Sequence, residues 1–211
     1  MITMKTVRMM VRFLCAALVV MVLAQVPANA EQKTFELDPA QTTVSFTLGD
    51  VLHTVHGTFK LKRGNIRFDD ATGLASGELV VDATSGDSGS KARDGKMHKE
   101  ILESQKFPEI IFTPQRFKGT LTPSGKSHLD VDGQFTIHGE AHPMTLGIDA
   151  DFGSGTTADT SFDVPYVKWG MKNPSTFILR VNDKVQISIH AVARTTNAGV
   201  RKSTTQTATS R

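Results

Sequence analysis

Histidines in two short spacings are the first residues that could carry chemistry: His53-x-x-His56 and His138-x-x-x-His142. Imidazoles at such intervals can share a metal ion or relay a proton. On a strand, however, residues three apart face opposite sides, so the first pair cannot converge without a bulge. The second pair spans a turn and can. No HExxH run exists, and no carboxylate lies at ligand spacing on a common element, so surface or turn histidines are the simpler reading and no metal is expected. Nucleophilic catalysis has less support. There is no G-x-S-x-G elbow, and Ser88 precedes Lys91 by three residues in a glycine-containing stretch that reads as a loop. Phosphate-cradling glycine motifs are absent, and nothing singles out a pair among the 21 acids. No catalytic residue and no cofactor is expected.

Two further clusters are polar without being reactive. Arg93-Asp94-Gly95-Lys96-Met97-His98 reads either as a solvated helix start, with Asp94 near the positive end of the dipole, or as a rim whose Arg93 and Lys96 receive an anionic head group. Tyr166 and Trp169, the only Tyr and Trp, bracket Lys168. Such amphipathic rings could line the entrance of an apolar cavity; a core-and-turn role is equally open.

The elements that must position these residues follow a period of two. Between His128 and Asp151, Leu129, Val131, Phe135, Ile137, Met144, Leu146, Ile148 and Ala150 fall on one face, with Asp130, Asp132, Gln134, Thr136, Thr145 and Asp149 on the other. Alternation of this kind predicts strands with one shielded face, broken at Gly139–Pro143 into an antiparallel hairpin. The pattern recurs at 43–48, 51–61 running on to 66–68, 79–83, 110–113, 161–164, 177–181 and 185–191, giving with the hairpin eight or nine strands at hairpin spacing, an all-β sandwich or barrel. One segment departs from it. From Lys91 to Ser104, Met97 and Ile101 stand four apart with Leu102 beside them, which predicts one short amphipathic helix with Ser90 as N-cap, covering an opening or an edge.

Residues 1–30 read as a cleavable signal peptide: Lys5, Arg8 and Arg12 lead an apolar run from Phe13 to Val26 that ends in Ala28-Asn29-Ala30. A periplasmic or secreted location is therefore expected. Cleavage would remove Cys15, the single cysteine, and with it any disulfide, zinc-thiolate or cysteine nucleophile. Residues 31–192 form one domain, long enough for its own core. Residues 193–211 form a tail with Arg194, Arg201, Lys202 and Arg211 and no acid, expected to be disordered. Once leader and tail are set aside, 17 cations face 21 acids, so nucleic acid is not an expected partner. The tail's charge suits transient contact with a membrane surface, although a solvated tail is the simpler reading. Oligomeric state, a homodimer included, is not fixed by any of these features.

Arg93-Asp94-x-x-Met97-His98, Leu102-Glu103-Ser104 and Phe107-Pro108-Glu109-Ile110-Ile111-Phe112-Thr113, in that order, resemble the signature of the YceI-like family of polyisoprenoid-binding, lipocalin-like periplasmic proteins. Val44-Ser45-Phe46, His56-Gly57-Thr58-Phe59, Gly133–Gly139 and Val185-x-Ile187-x-Ile189 fit the same pattern, so the likeness spans Thr34 to Ala191. The resemblance implies an extended antiparallel lipocalin-like barrel, one helix at its side, and an apolar tunnel holding an isoprenoid chain without catalysis or metal. A barrel of about eight strands can hold one small ligand or fill with its own side chains. The expected lining is Phe46, Phe59, Val131, Phe135, Ile137, Leu146, Ile148, Ile187 and Ile189, with Arg93, Lys96, Tyr166 and Trp169 as head-group candidates. Two alternatives stand beside it: a barrel-mouth hydrolase or isomerase built on His138, His142 and acids, and a filled barrel acting through its surface. Transport, storage or a stress response would each suit a carrier.

Overall fold

The computed structural model describes residues 32–49, 54–122, 124–153, 155–176 and 180–197. Among these, nine strands and one short helix follow in order: β1 Gln32–Leu37, β2 Thr43–Gly49, β3 Thr54–Asp69, β4 Leu74–Asp87, α1 Lys91–Lys96 running into a π-helical turn Met97–Ile101, β5 Glu109–Gly119, β6 Lys126–Ile137, β7 Glu140–Asp151, β8 Thr156–Val164 and β9 Val185–Asn197. Every pairing is antiparallel. From β2 the neighbours run β9, β8, β7, β6, β5, β4, β3 and back to β2, so the sheet closes on itself. Closure needs only eight positions because β1 and β2 share one. Both lie between β3 and β9: β1 puts Phe35 beside Ile66 and Thr195, β2 puts Phe46 beside Gly57 and Ile187. The step between them is an Asx turn, in which Asp38 Oδ1 accepts the Ala40 N–H at 2.9 Å. The expected all-β barrel with one helix is the observed fold.

The β6–β7 hairpin keeps its predicted faces, with Leu129 beside Ile148 and Val131 beside Leu146. Its break is narrower than the expected Gly139–Pro143. His138 and Gly139 alone turn the chain, at φ +52° and +80°, the positive pair that a tight hairpin turn requires. Pro143 therefore sits inside β7, a position whose significance lies on its β8 side. The helix ends at Lys96 and widens to π geometry through Ile101, short of the expected Ser104; Glu103 then takes φ +44° and stops it. Ser90 occupies the N-cap position but makes no side-chain cap bond. The wall also continues past the expected boundary at Val192, because β9 pairs with β1 as far as Asn197 opposite Lys33. A Thr-Thr-Asn run carries no apolar period; its order comes from a partner strand 160 residues away in sequence, which composition does not reveal. The expected leader, His53, most of the strand expected at 177–181 and the tail beyond Asn197 lie outside the described residues.

Candidate functional site: an apolar cavity along the barrel

Side chains facing inward from all nine strands leave a cavity of about 440 Å³ along the barrel. Phe46, Phe59, Val131, Phe135, Ile137, Leu146, Ile148, Ile187 and Ile189 all stand on its wall. An internal space of this size overturns the filled-barrel expectation. Sequence reasoning missed other lining residues that share the same alternation, notably Phe35, Phe68, Leu79, Phe112 and Ala150. Apart from Phe35, whose strand β1 is not among those expected, their strands were legible; what hid them was the absence of any cue for which inward positions pack against one another and which border the space.

One end is filled by rings. Phe35 meets Phe68 and Phe152 at 5.8 and 5.5 Å, and Phe68 meets Phe117 edge-on at 5.0 Å. Such edge-on and tilted pairs suit the charge distribution of aromatic rings and close that end. The other end lies under α1 and the segment 165–176, where Met97, Ile101, Leu102, Tyr166 and Met171 border the cavity.

The charged helix start works mainly as a clasp. Asp94 Oδ1 accepts the Ser88 N–H at 2.9 Å and its hydroxyl at 2.6 Å, bonds that hold the Asp94 carboxyl below the usual carboxylate range. Arg93 donates from Nη2 to the Ser88 carbonyl at 3.0 Å and from Nε to its Oγ at 3.3 Å. Deeper in, His98 bridges two segments: Nε2 lies 2.9 Å from the Gly86 carbonyl and Nδ1 3.1 Å from Ser104 Oγ. A carbonyl only accepts, so Nε2 carries the proton and Nδ1 accepts from Ser104. Ser104, 2% exposed, is thereby satisfied. Asp94 does stand in the first turn of the helix and Arg93 is exposed, as a solvated start requires, but the Ser88 bonds of Asp94 and the Gly86 bond of His98 tie that start to the β4 end of the wall.

Arg93 and Lys96 do border the cavity, and each has donors left beyond the clasp and beyond the Lys96 bond to the Pro174 carbonyl at 3.3 Å. Tyr166 borders it too, but its hydroxyl is committed to the Asn182 carbonyl at 2.6 Å, and burial pushes its pKa up to about 12. Trp169 does not line the cavity. It stacks on His142, ring centroids 4.1 Å apart and 3° from parallel. His138 packs on Phe107 at 4.6 Å, with Nε2 3.4 Å from Glu103 Oε1. Neither His138 nor His142 borders the cavity, so the barrel-mouth enzyme loses the residues on which it rested. Among the described residues no group of three or more His, Cys, Asp or Glu side chains is placed to hold a metal ion.

A closed antiparallel barrel with an apolar interior and one end-capping helix defines the class. The chain belongs to the YceI-like domain family, whose model matches residues 35–193. A UPF0312 protein of Pseudomonas putida (strain W619) is 33% identical over 95 residues, 44% of this chain and 47% of that protein, so the match spans about half of the relative's length. Two solved structures share the fold. Burkholderia cenocepacia BcnA aligns with a TM-score of 0.61 at 23% identity, over 75% of this chain and 99% of its own. A polyisoprenoid-binding domain from Saccharophagus degradans aligns with a TM-score of 0.60 at 15% identity, over 77% and 98%.

Proposed function

We propose that this protein is a secreted or periplasmic carrier that holds a polyisoprenoid or similar apolar chain inside its barrel. The observation that carries the proposal is the cavity of about 440 Å³, walled by Leu, Ile, Val and Phe from every strand. Burial of apolar surface contributes roughly 25 cal/mol per Å², so each 100 Å² of ligand chain removed from water stabilises the complex by about 2.5 kcal/mol before the cost of ordering it. No reactive group is needed for that. Family membership and the polyisoprenoid-binding neighbour support the choice of an isoprenoid over another lipid. The nine lining residues named from the sequence grip the chain, and Arg93 and Lys96 face its polar end. The basic lead, apolar run and Ala-x-Ala of residues 1–30 support export.

A dansyl-tagged farnesol titrated against the purified protein tests the reading. The native barrel is expected to take it up stoichiometrically. Phe135→Asp or Ile187→Asp, which would set a carboxyl in the apolar wall, should weaken uptake at least tenfold. Equal uptake by all three proteins would contradict internal binding.

A further inference from the structure

The wall is not zipped all the way round. β7 and β8 have twelve and nine residues, yet share only three register pairs: Asp149 with Asp159, Ala150 with Ala158 and Asp151 with Thr157. From that fork towards the helix end, neither Glu140–Ile148 nor Thr160–Val164 has a ladder partner across the gap, although each is paired on its other side. The sequence explains the fork. Its last pair sets two aspartates directly opposite, where like charges weaken pairing. The next position on β7 towards the helix end on that face, Gly147, has no side chain to pack across strands, and Pro143 has no N–H to donate.

What closes the gap is side chains. Phe135 meets Phe162 at 5.8 Å and Trp169 at 5.9 Å, and Trp169 lies flat on His142. Thr160 and Ile189 border both the cavity and an outer groove formed by Gly147, Asp149, Asp159 and Ser161, so the wall there is one side chain thick. Thr160 Oγ1 and His142 Nε2 are both buried without a hydrogen-bond partner, so neither adds a polar tie across the seam. The barrel's ends are better secured, one by the Phe35–Phe68–Phe117 rings and the other by the Ser88 clasp and the His98 bridge. Segments held by few backbone hydrogen bonds open at lower free energy than those in a full ladder.

The geometry points to the β7–β8 seam as the portal through which an apolar chain enters and leaves the cavity sideways, with the Trp169–His142 stack as its latch. This inference rests on the carrier reading. Side-on passage suits a long chain molecule, because the chain can slip in along its length rather than thread past a packed end.

A reversible staple tests it. In the full chain carrying Cys15→Ser, Gly147→Cys and Ser161→Cys are bridged by a dithio-linked bis-maleimide, and exchange of dansyl-tagged farnesol is followed by stopped flow. Bridging should slow uptake and release together at least tenfold, leave the equilibrium affinity unchanged, and be reversed when the linker is reduced. Trp169→Ala, without a staple, should instead speed exchange several-fold. Exchange that ignores both the staple and the loss of Trp169 overturns the portal while leaving the carrier reading intact. A folded protein that takes up no probe in either state overturns both.

Discussion

Gly57→Ala is the substitution whose consequence the structure fixes most closely. Gly57 lies opposite Phe46 across the β2–β3 ladder, and the Phe46 ring covers its missing side chain. A Cβ added there would stand 2.3 Å from Phe46 Cζ, 2.4 Å from Cε1 and 2.5 Å from the Asp87 carbonyl oxygen. Ordinary contact needs about 3.5 Å or more between carbons, so the ring must retreat by more than 1 Å. It is 6% exposed, packed against Phe59 at 5.4 Å, and borders the cavity, into which it can retreat. Overpacking of this kind costs about 1–3 kcal/mol. For a domain of this size a 2 kcal/mol loss lowers Tm by about 4–8 °C. The ring would also occupy cavity space, so affinity for dansyl-tagged farnesol should fall with stability. Phe46→Leu in the same chain relieves the ring's part of the clash and leaves the Asp87 carbonyl contact, and the pair should couple by about 0.5–3 kcal/mol in a double-mutant cycle read by calorimetry. Unchanged Tm and unchanged probe affinity for Gly57→Ala alone would refute the reasoning.

Tyr166, as the single tyrosine, can be titrated by its absorbance alone: the folded protein should ionise near pH 12 and the unfolded chain near 10. Because the folded value is the higher, the stability it confers is complete below pH 10 and lost as pH rises from 10 towards 12, a decline of roughly 2–3 kcal/mol visible in urea melts. His98→Ala should cost about 1–3 kcal/mol by stranding the Ser104 hydroxyl, and Ser104→Ala should add little to it, since both remove one bridge. His128 donates to Asp149 across 2.7 Å, which raises its pKa above 6.5; Asp149→Asn should lower that value in an NMR titration of the imidazole.

Much of the barrel was legible because a period of two survives wherever one face stays dry. Leu129 to Ile137, broken only at Gly133, and Val185 to Ala191 show it, and every inward position on them but Gly133 borders the cavity. Three features were illegible for physical reasons. The order at Thr195–Asn197 comes from pairing with β1, not from local propensity. The shared slot of β1 and β2 depends on closure, a property of the whole sheet. Trp169 was placed at an entrance by its amphipathic ring, but its stacking partner His142 lies across a gap that no spacing announces. Pro143 and Gly147 did carry the signal for the seam; inside a strand with two partners both would be costly. The clasp around Ser88 was half visible, since Arg93 and Asp94 stood out while the residue they grip looked like an idle loop serine.

The most direct measurement of the central claim is the mass of what the protein carries. Protein purified under mild conditions from the cells that make it should fly in native mass spectrometry with a bound apolar chain, and solvent extraction should release a molecule built of isoprene units or a comparable hydrocarbon. A bare protein mass in every such preparation, together with no uptake of added polyisoprenoid, would contradict the account.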